Sequence, residues 1–141
     1  MRLFLLLVLI VLLPLSALAM GDLSGDGPTT RVPEPSIDFT VVVTDTEMNP
    51  FTVSKATFDG HVYLTGTLGK AKVSVPFEKM ARVDFVPAEG MDVTALITFL
   101  DGQQQALVVK GTLPAYGQTA YGNVAIELRY LRDAVFKGRT K

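Results

Sequence analysis

Cysteine is absent from this 141-residue chain, and histidine occurs once. The first absence excludes disulfide staples, thiol catalysis, thiolate metal sites and haem attached through Cys. The second leaves any metal site of the usual type to His61 and carboxylates alone. An excess of one charge is also missing, since 13 Lys and Arg face 14 Asp and Glu, a net −1 with His neutral. Such a balance provides neither a nucleic-acid footprint nor a polybasic membrane surface. The fold must therefore be held by apolar packing and backbone pairing. A chain of this length suits one domain and buries about two-thirds of its unfolded surface.

The apolar residues are distributed unevenly. Arg2 precedes an unbroken run from Leu3 to Leu13, Pro14 interrupts it, and Ala17-Leu18-Ala19 supplies a small-x-small pattern. These are the three parts of a secretory signal peptide. A membrane span needs about 20 uninterrupted apolar residues, and this run is shorter. The sequence thus predicts a signal peptide over 1–19, cleaved after Ala19, and an exported chain, periplasmic or extracellular. No Cys follows the leader, which removes a lipoprotein anchor, and the cleaved chain has no stable membrane insertion. Residues 20–36 (MGDLSGDGPTTRVPEPS) are rich in Gly, Pro, Ser, Thr and Asp and lack an apolar period, so they read as a flexible linker.

From Ile37 the signal is β. Phe39, Val41 and Val43 fall on one face at period two, as do Val73, Val75 and Phe77, and again Ala81, Val83 and Phe85. FTVSKATF, HVYLTG, VTALITF, QQQALVV, NVAIEL and LRDAVF complete the strand candidates. Asp59-Gly60 and Asp101-Gly102 read as turns, the second closing a hairpin. A short amphipathic helix over 124–136, through Ile126, Tyr130 and Ala134, is the competing reading there. The expectation is an all-β domain over 37–136 with eight or nine antiparallel strands. It forms a sandwich or partly open barrel, followed by a basic tail over 137–141.

An internal comparison argues against the helix. Ala71–Phe85 (AKVSVPFEKMARVDF) lies on Gly122–Phe136 (GNVAIELRYLRDAVF) without a gap. Val75 meets Ile126, Phe77 meets Leu128, Met80 meets Leu131, Val83 meets Ala134 and Phe85 meets Phe136. Both copies read as strand, corner, strand, and Pro76 suits an edge or bend. Two similar β units of about 45 residues follow, the second starting near Asp92. The pattern G-x-x-x-V-x-V-P-F-x-K-M-x-x-V-x-F is carried by Gly69, Val73, Val75, Pro76, Phe77, Lys79, Met80, Val83 and Phe85. It resembles small all-β modules of exported Gram-negative bacterial proteins. The second copy departs from it, with Glu127 in place of Pro76 and Tyr130 in place of Lys79. The resemblance implies a fold and an address, and no activity.

Candidate sites are few. Asp22, Ser24, Asp26 and Gly27 have the spacing that opens a calcium-binding loop, in which alternate oxygens converge on the ion. The closing acid is missing, because position twelve is Pro33 and Glu34 comes one residue late. No metal or cofactor is therefore expected. His61 with Asp59 and either Ser54 or Ser74 holds the residue types of a hydrolase, but no nucleophile-elbow motif frames either serine. Asp45, Glu47, Glu89, Asp92 and Asp101 form no evident pair for sugar cleavage. Within PAYGQTAYG, residues 114–122, Tyr116 and Tyr121 recur in an Ala-Tyr-Gly frame on what reads as a Gly-rich loop. Such rings supply amphipathic contact area for binding.

The expected function is a non-catalytic interaction or structural module of the cell envelope, contacting its partner through Tyr116 and Tyr121. The alternatives are a carbohydrate-binding module using those tyrosines and a hydrolase using Asp59 and His61. An envelope protein, a glycan or a second copy of the chain fits as partner. Nucleic acid does not. N-terminal sequencing of the exported chain is expected to start at Met20; retention of Arg2 in the mature protein would overturn the leader reading.

Overall fold

A computed structural model of the protein describes residues 31–140. The leader, the cleavage position and most of the linker, with Asp22, Ser24 and Asp26, lie outside the described residues. Ten strands follow one another: β1 (Phe39–Asp45), β2 (Pro50–Phe58), β3 (Tyr63–Leu68), β4 (Ala71–Pro76), β5 (Met80–Pro87), β6 (Asp92–Phe99), β7 (Gln104–Lys110), β8 (Pro114–Gln118), β9 (Asn123–Glu127) and β10 (Leu131–Arg139). Period-two burial runs through β1, β5, β6, β7 and β8. Phe39, Val41 and Val43 of β1 are buried, and so are Val93, Ala95 and Ile97 of β6. All neighbours pair antiparallel, in the order β4-β3-β7-β6-β5-β10-β1-β2-β8-β9. This single sheet curls into a half-barrel that closes over its own apolar face. Among the described residues no helix is long and apolar enough to cross a membrane.

The strand order reads the same from either end once β1–β5 and β6–β10 are exchanged. β4 and β9 each lead into a three-residue 3-10 turn, Phe77–Lys79 and Leu128–Tyr130, and then into β5 and β10. The flanking torsions agree closely: Pro76 has φ −69 and ψ 147, Glu127 has φ −72 and ψ 147. The 124–136 helix thus reduces to one short turn. Asp92 opens the second unit as the sequence predicts. The units are nevertheless interleaved rather than side by side. Hairpin β3–β4 leans on β7 of the other unit, and β8–β9 leans on β2. The axis of this pseudo-symmetry passes between Val83 and Ala134, which stand opposite each other in the β5–β10 ladder and are wholly buried.

Phe77 anchors the core. Its ring meets Phe58 edge-on at 5.1 Å, Phe39 at 5.6 Å and Phe136 at 4.9 Å. Full burial of such a ring is worth about 2–3 kcal/mol. Leu128, its counterpart in the second unit, is equally buried.

Three sequence expectations need correction. Ten strands form rather than eight or nine, because Pro114–Gln118 is strand β8 and not part of a Gly-rich loop. Gly117 serves packing: a Cβ there would lie 2.7 Å from Val53 Cβ, so only glycine lets β8 press onto β2. The basic tail begins later than expected, since Lys137–Arg139 extend β10, where Arg139 pairs with Phe39 and the Thr140 N–H donates to the Asp38 carbonyl at 2.7 Å.

The outer face of the central seam is polar. Asp84 and Asp133 stand directly opposite each other, a repulsive cross-strand pair. Arg82 bridges them, its Nη2 lying 2.9 Å from Asp84 and 3.2 Å from Asp133, whose side chain is only 12% exposed. The hydrogen bond that Arg82 donates to Asp84 raises the Arg82 pKa above its ordinary value. Arg82→Ala is expected to cost about 1–2 kcal/mol in urea denaturation, reduced from the cost of a fully buried pair by the partial exposure of Arg82. An unchanged midpoint would show that the two acids tolerate each other unaided.

The β1–β2 turn carries a second carboxylate tie. Asp45 accepts from the backbone N–H of Asn49 at 2.8 Å and of Glu47 at 2.9 Å. The Asn49 backbone bond leads in lowering its pKa below 3.8, helped by the Asn49 amide. A lowered folded pKa means that the contribution is complete above the unfolded value and fades as pH falls below it. Asp45→Asn is therefore expected to lower the melting temperature at pH 7 and to have a smaller effect near pH 3. A difference independent of pH would contradict this.

Candidate functional site

Two of the seams that join the units, β2–β8 and β3–β7, are equivalent by the pseudo-symmetry, and they differ. In the β2–β8 seam Ser54 pairs with Gln118, Thr57 with Tyr116 and Phe58 with Ala115. Between β3 and β7 only Thr67 and Val108 pair, the counterparts of Gln118 and Ser54. A register shift in β2 accounts for the closed seam. Lys55 takes φ 51, its N–H donates to Asp38 Oδ1 at 2.8 Å, and the strand resumes pairing beyond. β7 has no such shift and ends at Lys110. The unzipped seam leaves a groove of about 300 Å³.

Gly66 sets its narrow end. A Cβ there would lie 2.8 Å from the Val108 carbonyl oxygen, so β3 crosses β7 at backbone contact distance. From this pinch the strands diverge toward Tyr63 and Lys110. The Phe77 N–H donates to Val62 O, which fixes the phase of the β3–β4 ladder. Antiparallel alternation then turns the main-chain N–H and C=O of Tyr63 and Thr65 toward the groove.

Phe58, Leu64 and Leu113 make an apolar floor. At the mouth, Asp59-Gly60 forms the expected tight turn, with φ 54 and 82 and reciprocal bonds between Phe58 and His61 of 2.9 and 3.0 Å. The turn lifts His61 onto Tyr63, and the two rings stack with centroids 4.7 Å apart and planes 11° apart. Thr65 shares a hydroxyl hydrogen bond of 2.7 Å with Ser74 on β4. Lys72, opposite Thr67 in the β3–β4 ladder, and Lys110 bring two cations to the walls, with Asp59 the only acid on them among the described residues.

His61 and Asp59, considered from sequence for hydrolysis, thus both line the groove. No hydrogen bond joins them. The Ser74 hydroxyl is bound to Thr65, and Ser54 donates to the Gln118 carbonyl at 3.5 Å, so neither serine meets the imidazole. Among the described residues no three His, Asp or Glu side chains cluster as a metal site. Glu34, the acid nearest the end of the calcium-like spacing, pairs with Lys55 at 3.3 Å. The scattered acids sit at turns and strand ends, Asp45 with Glu47 in one turn and Glu89 with Asp92 in another.

Tyr116 and Tyr121 lie elsewhere. Tyr116 is half-buried in mid-β8, opposite Thr57 and Ala125. Tyr121 stands at the β8–β9 turn, 99% exposed, where Thr119 Oγ1 accepts from the Tyr121 and Gly122 N–H groups at 3.2 and 3.1 Å. Sequence reasoning missed Tyr63, Lys72 and Lys110. The polar alternation Tyr63-Thr65-Thr67 was the available signal, but its partner strand is some forty residues away.

No curated protein and no solved structure matches the chain. A family model does match, over residues 35–139, which spans every strand and both seams just described. The chain belongs to that family, whose description is "Uncharacterised protein".

Proposed function

We propose that this protein is an exported, non-catalytic binding module of the Gram-negative cell envelope that holds an anionic glycan in the β3–β7 groove. The observation that carries the reading is the broken symmetry of the seams. A repeat able to zip shut between β2 and β8 stays open between β3 and β7, and the opening is furnished for a ligand. The stacked Tyr63 offers an aromatic face to a sugar ring, Thr65 and Thr67 offer hydroxyls, and Lys72 and Lys110 offer charge for a carboxylate or phosphate. Among the described residues no nucleophile is hydrogen-bonded to His61, a contact that hydrolysis needs. The leader-like residues 1–19 support export, and the strand-corner-strand pattern supports the envelope address.

Uronic-acid oligosaccharides are expected to raise the melting temperature, and neutral oligomers of equal length to raise it less. Lys72→Ala combined with Lys110→Ala removes the preference for the charged oligomer. Tyr63→Ala weakens binding about tenfold, or about 1.4 kcal/mol. All three side chains are exposed, so circular dichroism should be unchanged. Equal affinity for neutral and charged oligomers would reject the ligand class, and variants that bind like the parent would reject the groove.

A further inference from the structure

Among the described residues the sheet ends at β4 and β9, which are counterparts in the repeat but differ in chemistry. In the β8–β9 ladder the Leu128 N–H donates to Leu113 O and the Thr119 N–H to Gly122 O. That phase turns the main-chain groups of Ala125 and Glu127 away from β8. The same reasoning on the Phe77–Val62 bond turns Lys72, Ser74 and Pro76 outward on β4. Pro76 has no N–H to offer, and Lys70 and Lys72 put charge along that edge. These are the devices that keep sheet edges from pairing. On β9, Glu127 replaces Pro76 and its charge is already matched by Arg129 at 2.7 Å. The strand NVAIE carries no proline and no lysine.

We infer that β9 pairs antiparallel with β9 of a second copy, around a two-fold axis at Ala125. The sequence is self-complementary in that register. Ala125 faces the partner's Ala125 in a doubly hydrogen-bonded pair, and Val124 faces the partner's Ile126. The two Glu127 side chains are held at opposite ends. Continued past the strand, the register brings the exposed Tyr121 beside the partner's Arg129, a side chain that already rests over the Tyr130 ring at 4.6 Å in its own chain. The same register on β4 would set Lys72 against the partner's Pro76 and lose hydrogen bonds. One edge therefore associates and the other does not, which gives a closed dimer rather than a filament. The Tyr121 turn becomes part of a contact between copies, at the opposite end of the sheet from the β3–β7 groove.

Sedimentation velocity of the purified chain, in steps up to about 1 mM, reads the assembly directly. A dimer is expected. Ala125→Pro removes an N–H that points away from β8, leaves that ladder intact and should give a monomer with unchanged circular dichroism. Ser74→Pro, the matching change on β4, should remain dimeric. Because the chain has no cysteine, Ala125→Cys introduces a single thiol and should form an intermolecular disulfide under mild oxidation, since paired Cα atoms about 5.5 Å apart can be bridged. This variant decides the matter should the proline variant not fold. A chain that stays monomeric, an assembly that grows beyond two, or an Ala125→Cys dimer that does not crosslink would overturn the inference.

Discussion

The register of the β5–β10 seam is the constraint on which the rest of the molecule depends. Val83 and Ala134 face each other there with no exposure at all, and each is flanked by a buried phenylalanine two residues on, Phe85 or Phe136. A slip of one residue would turn both strands inside out. Two features oppose that slip. The side chains are complementary in size, valine against alanine, and Arg82 holds Asp84 to Asp133 on the outer face. Because the hairpins are exchanged between units, neither unit closes a core alone. β3–β4 has its apolar backing from β7, and β8–β9 has its backing from β2. The central seam therefore fixes the position of both outer hairpins as well as its own.

Repetition explains the scaffold, and departures from repetition explain where it can act. The turns at 45–49 and 99–103 are equivalent down to their cross-unit bonds. The Thr46 N–H donates to Tyr130 O at 2.9 Å, and the Leu100 N–H donates to Lys79 O at 3.1 Å. Against that background the unequal places stand out. Lys55 bends β2 so that it meets β8, while Val109 continues straight and β7 parts from β3. Pro76 closes one edge to pairing, while Glu127 leaves the other open. Each difference is a substitution at one position of a shared frame, and each changes which backbone groups face solvent.

Most of the frame was legible in the sequence because a half-buried strand imposes alternation residue by residue. The Asp59-Gly60 turn, the strands that bury every other side chain and the start of the second unit at Asp92 all follow from spacing a few residues long. β8 was not legible. Its glycine and tyrosine suit a loop as well as a strand, and the decisive fact is the approach of Val53, more than sixty residues earlier, to the position of Gly117. The groove was half legible. His61 and Asp59 drew notice as chemistry-bearing residues, but Lys72 joins them only through the β3–β4 ladder and Lys110 only through the exchange of hairpins. The register shift that closes the opposite seam depends on Asp38 reaching the Lys55 N–H, a contact without a local signature.

An open seam inside a sheet carries a cost that bears on its use. Main-chain groups of Tyr63 and Thr65 have no ladder partner across the groove, and such groups are stable only where water or a ligand satisfies them. The mouth meets this need with polar walls, since the hydroxyls of Thr65 and Thr67 and the ammonium groups of Lys72 and Lys110 keep it wetted. The floor of Phe58 and Leu64 is apolar and already buried, and half-buried Leu113 gains by being covered. A ligand with one polar edge and one flat apolar face meets both demands together, and a sugar ring has that shape. At the narrow end, Gly66 in contact with Val108 prevents the seam from opening further. The groove is thus bounded by packing on one side and by unpaired backbone on the other. Its width follows from the fold, and its lining is left free to select what enters.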